Sequence, residues 1–105
     1  GPVQWQYGVP TEQLLESDWS EHAQALAALA SPVRLTILHA FLAGATSAAE
    51  LSAAEGLGTT GQLYHHLNQL VAQGWLRVAG RGQYAVPPER IVPLLAILAA
   101  VGSPA

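Results

Sequence analysis

The chain has 105 residues, the size of one domain, and contains neither cysteine nor methionine, which excludes disulfides and thiolate metal sites. Residues are 50% hydrophobic and 10% charged, so a domain this small should leave apolar surface for a partner to cover. No apolar run reaches the roughly 20 residues of a bilayer span. We therefore expect no membrane partner. The absence of cysteine is compatible with the reducing cytoplasm, which is the expected location.

The net charge of −3 argues against a nucleic-acid partner, but the acidic residues are segregated along the chain. Four of the seven lie before residue 22, and none lies between Gly56 and Pro88. That acid-free stretch holds the bases Arg77 and Arg81.

The two ends of the chain are expected to lie outside the predicted domain itself. Gly1-Pro2 is typical of the scar that a protease leaves after removing an expression tag. Residues 1–10 are predicted to form an extended arm that packs across the domain or a partner, because residues 3–10 show no hydrophobic period and include Gly8 and Pro10. Residues 11–101 form the predicted domain, and residues 102–105 are predicted to be a frayed C-terminus.

Two helices are predicted in the first half of the domain, after a short helical turn at residues 11–15. The first begins near Asp18 and places apolar side chains on one face to about residue 30. The second has Ser31 as N-cap and Pro32 at its first position, and it stops at Gly44. Arg34, near its start, is either an exposed solvated base or a phosphate contact.

The middle of the chain predicts a helix-turn-helix. Ser47 and Glu50 are spaced as a capping box for a short helix that ends near Glu55. A glycine-containing turn follows, and Thr59 and Gln62 then form a second capping box. This second helix ends at Gly74, and its apolar stripe consists of Leu63, Leu67, Leu70 and Val71.

The opposite side of the second helix carries hydrogen-bonding groups with no acid and no lysine: Gly61, Gln62, His65, Asn68 and Gln69. Such a face either reads base edges in a DNA major groove or is simply solvated. His65 and His66 point about 100° apart on a helix, so they cannot chelate one metal ion together.

Residues 75–79, whose side chains alternate in character, and residues 83–86 are rich in strand-forming types. They flank the loop Gly80-Arg81-Gly82, and this pattern predicts a β-hairpin. A hairpin directly after a helix-turn-helix is a wing, and Arg81 at its tip would reach a phosphate or a narrow minor groove. The alternative is an ordinary hairpin turn with a solubilising arginine.

The last predicted helix, Glu89 to Val101, is bent or restarted at Pro93 and has no polar side chain beyond Arg90. A helix that is apolar all round must be buried all round, which in a domain this small requires another subunit. A C2 homodimer through the first and last helices is the simplest solution. The predicted interface residues are Trp19, Leu26, Ile91, Leu94, Leu95 and Leu98.

The run from Leu29 to Leu38 resembles the L-x-x-P-x-R-L-x-I-L opening of the ArsR-type winged-helix repressors. Glu50-Leu51 is similar to their E-L before the turn, and His66-Leu67 to Gly74-x-Leu76 resembles their recognition helix and its exit. Arg81-Gly82-x-Tyr84 resembles their wing return. The similarity covers about residues 20–100 in the family's order.

The resemblance implies a mainly α winged helix-turn-helix of about five helices plus a two-stranded wing. It also implies a bacterial transcriptional regulator that binds double-stranded operator DNA as a homodimer. No cofactor or metal is expected, because the family's cysteine ligands are absent and the last helix offers only Glu89. The family commonly has Ser or Thr two residues before the His-Leu pair, where this chain has Tyr64. The predicted DNA-binding residues are Thr59, Thr60, Gln62, Tyr64, His65, Gln69, Arg77 and Arg81.

A second hypothesis is a winged helix that serves as a protein-interaction or small-molecule-sensing module without strong DNA binding. The acidic balance, the apolar excess and the aromatic residues Trp5, Tyr7 and Trp19 favour it. A small-molecule effector at the dimer interface that tunes DNA affinity would reconcile the two. No enzymatic activity is expected, because no set of nucleophile, base and orienting residue is present.

Overall fold

The structure, a computed structural model, describes residues 9–54 and 56–102. It is mainly helical with a two-stranded antiparallel sheet, as predicted. The predicted arm before residue 9, Glu55 and the chain end after residue 102 lie outside the described residues. The elements are α1 (Thr11–Glu16), α2 (Ala23–Leu29), α3 (Pro32–Leu42), α4 (Ala48–Ser52), α5 (Thr60–Ala72), β1 (Arg77–Gly80), β2 (Gln83–Ala85) and α6 (Pro88–Gly102).

The helix that the sequence places at Asp18 begins as a 3-10 turn, Trp19–His22, and becomes α-helical at Ala23. The Asp18 carboxylate accepts hydrogen bonds from the Ser20 amide at 3.0 Å and the Ser20 hydroxyl at 2.6 Å. These bonds tighten the first turn and lower the pKa of Asp18.

The predicted helix boundaries around α3 and α5 are confirmed. The Ser31 hydroxyl accepts the Arg34 amide at 3.2 Å, which caps α3. The Thr59 hydroxyl accepts the Gln62 amide at 3.2 Å, and Gln62 Oε1 accepts the Thr59 amide at 2.8 Å, which completes the capping box of α5.

Gly74 ends α5 with a φ of +79°, in the left-handed region. The Trp75 amide then donates back to the Leu70 carbonyl at 2.9 Å, and the Gly74 amide donates to Val71 at 3.1 Å. This paired pattern is a Schellman motif. The Trp75 amide donates to a carbonyl of α5 and so cannot pair within the sheet. Strand β1 therefore begins at Arg77, two residues later than the predicted start at Trp75.

The core lies between α2, α3, α4, α5, the hairpin and one side of α6. Trp75 is buried and its indole Nε1 donates to the Ala25 carbonyl of α2 at 2.9 Å. The side chains of largest volume that are almost completely buried are Ile37, Leu38, Leu63, Leu67, Leu70, Leu76 and Leu94.

Helix α6 is one uninterrupted helix that contains Pro93 in its interior, so the predicted restart at this proline is wrong. It is also not buried all round within the subunit. Leu94 alone is fully buried, whereas Leu95 is 49% exposed and Val101 is 79% exposed. The assignment of Leu94 to a dimer interface is therefore wrong, because this side chain points into the subunit's own core.

The hairpin is anchored to the start of α4 by contacts that the sequence did not predict. The Ala48 amide donates to the Gly82 carbonyl at 2.9 Å, and the Tyr84 amide donates to the Thr46 carbonyl at 3.0 Å. The buried Tyr84 ring also packs 6.1 Å from the Phe41 ring of α3, centroid to centroid. The hairpin is thus held against both α3 and α4.

None of the described helices is long and apolar enough to cross a membrane alone. Trp19–Leu29 and Pro32–Leu42 satisfy that condition by length and composition only when taken together, across a bend of 77°.

Alanine substitution should have opposite effects at the two glycines of the α5 region. Gly74→Ala should destabilise the fold by about 1–2 kcal/mol, because it places a Cβ in the left-handed conformation. Gly61→Ala should stabilise it by about 0.5–1 kcal/mol, because Gly61 is helical and a Cβ there would meet only Thr59 Oγ1 at 4.0 Å. Urea unfolding measures both changes, and the same sign at both positions would contradict the assigned helix end.

Candidate nucleic-acid interface

Helix α5 has one buried face and one solvent face, and its rotation is fixed by three leucines. Leu63, Leu67 and Leu70 are each at most 1% exposed, so they lock the helix onto the core. His65 and Asn68 lie on the side away from these leucines, and Tyr64, 40% exposed, lies at the edge of that side, one turn before Asn68. The side chains along this exposed line of three residues offer a phenol, an imidazole and an amide as hydrogen-bonding groups. The phenol of Tyr64 and the amide of Asn68 are uncharged.

The predicted DNA-binding residues at the start of α5 are exposed, but two of them have structural bonds. Thr59 and Gln62 hydrogen-bond each other's backbone in the capping box. Thr60, the first residue of the helix, is exposed beside them. Thr59 and Gln62 therefore fix the N-terminus of α5.

Arg34 is neither of the two things that the sequence suggested. Its side chain is half-buried, and its guanidinium donates to the Ala28 carbonyl at 2.6 Å and to the Ala27 carbonyl at 3.2 Å. It also donates to Gln69 Oε1 at 2.9 Å. Arg34 thus links the last turn of α2 to α5, because the four final carbonyls of a helix have no partner within it.

Gln69 was predicted to contact DNA, but both ends of its amide have partners within the chain. Oε1 accepts from Arg34, and Nε2 lies 3.3 Å from His65 Nε2. The Gln69 side chain therefore belongs to a hydrogen-bond chain that begins at Arg34 and ends at His65.

His66 is half-buried, and its Nδ1 lies 3.2 Å from Arg34 Nη1, so it is a hydrogen-bonded histidine at the core edge. Burial lowers the pKa of His66 below its ordinary value of 6.5, and the positive charge of Arg34 and the neighbouring His65 lower it further. Its ring centroid lies 5.9 Å from that of His65 in an edge-to-face arrangement.

The hairpin carries two exposed arginines, Arg77 in β1 and Arg81 in the turn. Arg90 of α6 differs from them, because its guanidinium stacks over the Trp75 ring at 4.8 Å from the centroid. The Gly82 carbonyl bond to α4 holds the turn that carries Arg81 in a fixed position relative to the α4–α5 pair.

Acidic side chains are concentrated away from α5 and the hairpin along the chain. Glu12 and Glu16 lie on α1, and Glu21 lies in the 3-10 turn. Glu50 is the acid of α4, and its carboxylate accepts hydrogen bonds from the hydroxyls of Thr46 at 3.0 Å and Ser47 at 3.3 Å. These bonds occupy the acid of the helix whose start anchors the hairpin.

The predicted interface residues, Leu94 apart, are at least partly accessible. Trp19 is 63% exposed, Leu26 is 52% exposed and Leu98 is 37% exposed, while Ile91 is half-buried. Leu26 and Leu98 line one apolar groove of about 170 Å³ between α2, α3 and α6, together with Val101. The exposed apolar side chains of α2 and α6 therefore adjoin.

Two features of this face were missed by sequence reasoning. The role of Arg34 depends on three helices meeting, and no local pattern reveals it. Asn68 was seen on the polar face but was not included among the DNA-binding residues, although its spacing of three from His65 and four from Tyr64 places it on their line.

The described residues contain no group of three or more histidine, aspartate or glutamate side chains that could hold a metal ion. A comparison of the chain with protein-family models and with curated proteins finds no match.

The pH dependence of stability should reveal the neutral state of His66. The pKa of His66 in the folded state lies below 6.5, so neutral His66 contributes its full stabilisation of the fold above that pH. This contribution is lost as the pH falls through the folded-state pKa. Wild-type protein should therefore lose more stability than His66→Gln between about pH 7.5 and about pH 5 in urea unfolding. His39→Gln, at an exposed histidine of α3, should lose as much stability over this pH range as the wild type. Equal losses for wild type and His66→Gln would contradict the assignment of a neutral His66.

Proposed function

We propose that the chain is a bacterial transcriptional regulator of the ArsR-like winged helix-turn-helix type, which binds operator DNA as a homodimer. Helices α4 and α5 are the helix-turn-helix, and α5 enters the major groove. The β1–β2 hairpin is the wing, and it lies along the phosphate backbone or in the minor groove.

The observation that carries this proposal is the exposed line of Tyr64, His65 and Asn68 on a helix whose opposite face is locked into the core. An asparagine amide offers a paired donor and acceptor to an adenine edge, and an imidazole offers one of either kind. The absence of acidic residues between Gly56 and Pro88 removes charge repulsion from the same stretch.

The wing supplies the sequence-independent part of the binding. Arg77 and Arg81 are exposed, and the bonds from Ala48 and Tyr84 hold their hairpin against the helix-turn-helix. A guanidinium at each position neutralises a phosphate and so fixes the orientation of α5 on the duplex.

The dimer presents two α5 helices about 34 Å apart, at the spacing of successive major grooves. Its interface is the apolar surface formed by Leu26 of α2 and by Leu95, Leu98 and Val101 of α6. This apolar surface and the α5 face are carried by different helices, so DNA and the second subunit do not compete for the same side chains.

Selection from a random double-stranded DNA library at low salt tests this function. We expect enrichment of an inverted repeat with half-sites about one helical turn apart. Fluorescence anisotropy should then show that the double variant His65→Ala/Asn68→Ala abolishes preference for the selected site. The matched control Gln13→Ala/Ser20→Ala, on α1 and in the 3-10 turn, should leave that preference unchanged. No binding by wild-type protein at low salt would overturn the proposal.

Removing one wing arginine should reduce the salt dependence of binding. Arg81→Gln and Arg77→Gln should each lower the slope of log affinity against log salt concentration by about 1, because each removes one phosphate contact. Glu12→Gln on α1 should leave the slope unchanged, although it also changes the net charge. If the salt-dependence slopes of all three variants changed in step with the net charge of the protein, the proposed local contact of the wing with phosphates would be contradicted.

A charge on the outer face of α6 should separate the subunits. Leu95→Glu should raise the dimer dissociation constant at least about tenfold, since it buries like charges against each other. Val78→Glu, at a position that is 60% exposed on the hairpin, is the matched control and should leave the dimer dissociation constant unchanged. Sedimentation equilibrium measures both, and a dimer that tolerates Leu95→Glu would place the interface elsewhere.

A protein-interaction module is the second candidate function. The observation that favours it is the exposure of Leu15 at 65% and of Trp19 at 63%, on a face outside the α2–α6 groove. This reading predicts a stable dimer that shows no enrichment of any DNA sequence in the selection experiment.

A further inference from the structure

The hydrogen bonds around Arg34 have a fixed direction, because a guanidinium carries five donors, no acceptor and a permanent charge. Arg34 Nη1 lies 2.9 Å from Gln69 Oε1 and 3.2 Å from His66 Nδ1. Both of these partner atoms must therefore accept. Nε and Nη2 donate to the carbonyls of Ala28 and Ala27, which hold the guanidinium in place.

The direction imposed on Gln69 passes outward to the exposed face of α5. Because Oε1 accepts from Arg34, the amide group turns Nε2 toward His65, and Nε2 can only donate. It lies 3.3 Å from His65 Nε2, so this ring nitrogen accepts. A neutral His65 then carries its proton on Nδ1. On the other branch, His66 accepts at Nδ1 and carries its proton on Nε2.

We propose that Arg34 and Gln69 are positioning residues that set His65 as a hydrogen-bond donor through Nδ1–H on the face of α5. His65 thereby selects an acceptor on the base edge, which in the major groove is purine N7, guanine O6 or thymine O4. It discriminates against an edge that presents only a donor, such as the amino group of cytosine. Gln69 acts through His65 and does not itself read a base.

This inference deepens the proposed DNA-binding function and rests on it only for the base-reading step. The arrangement of protons exists in the free protein, whether or not DNA is bound. A tautomer measurement on the protein alone therefore tests the hydrogen-bond chain separately from DNA binding.

Nitrogen-15 NMR of the imidazole rings in the full chain, at a pH where both rings are neutral, tests the first step. We expect the proton of His65 on Nδ1 and the proton of His66 on Nε2. A His65 ring protonated on Nε2 in the wild-type protein would overturn the proposal.

Gln69→Glu is the informative variant, because a carboxylate still pairs with Arg34 but offers His65 only an acceptor. We expect the His65 proton to move to Nε2. Gln73→Glu introduces the same charge one turn further along the helix, beside the same groove that Arg34 and Gln69 line, and should leave the tautomer unchanged. Both positions are accessible, so the fold should tolerate either change.

DNA affinity tests the base-reading step. For wild-type protein we expect about tenfold weaker binding when the selected base pair that faces His65 is reversed, which corresponds to about 1.4 kcal/mol. Gln69→Glu should reduce that ratio toward one, while Gln73→Glu weakens binding to both sites equally and keeps the ratio. An unchanged ratio in Gln69→Glu would overturn the role of Gln69 in base selection. Expected tautomers with no DNA binding at all would overturn the proposed function and leave only the hydrogen-bond chain.

Discussion

The burial of one leucine stripe determines most of what the molecule presents to solvent. Leu63, Leu67 and Leu70 are packed into the core so completely that α5 has no freedom to rotate about its axis. Helix periodicity then forces Tyr64, His65 and Asn68 outward. The capping box at Thr59 and the left-handed Gly74 fix where the helix starts and stops, so packing sets the rotation of α5 and its two caps set the ends.

Arg34 adds a polar constraint to this apolar one. Its guanidinium satisfies carbonyls at the end of α2 while it holds Gln69 and His66 on α5. All its partners are neutral groups, so no carboxylate cancels its charge. Burial lowers the pKa of His66, and the positive charge of Arg34 lowers it further. One residue of α3 therefore links two helices and contributes to keeping a ring on the surface helix neutral.

The sequence predicted those features that depend on local geometry. Ser31-Pro32, the Thr59–Gln62 box and Gly74 each work within a few residues of the chain, so their spacing was sufficient to place α3 and α5. Arg34, Gln69 and Leu94 were assigned wrongly or incompletely. The hydrogen-bond partners of Arg34 are 6 to 35 residues away, Gln69 is one of them, and Leu94 lies on the face of its helix that joins the core. An all-apolar helix such as α6 gives no signal of which side faces its own core, since every side is equally hydrophobic.

The hairpin shows how a short sheet avoids pairing with other chains. Within the described residues the sheet has two strands, and the Thr46–Ser47 segment bridges the outer side of β2, so β1 keeps one edge of backbone amides and carbonyls open. An open edge is a template for indiscriminate strand addition and aggregation. A bulge between Val78 and Gly80 interrupts its regular spacing, and the charge of Arg77 disfavours close approach of a second strand. The bulge and the charge of Arg77 thus both disfavour the addition of a further strand at the open edge of β1.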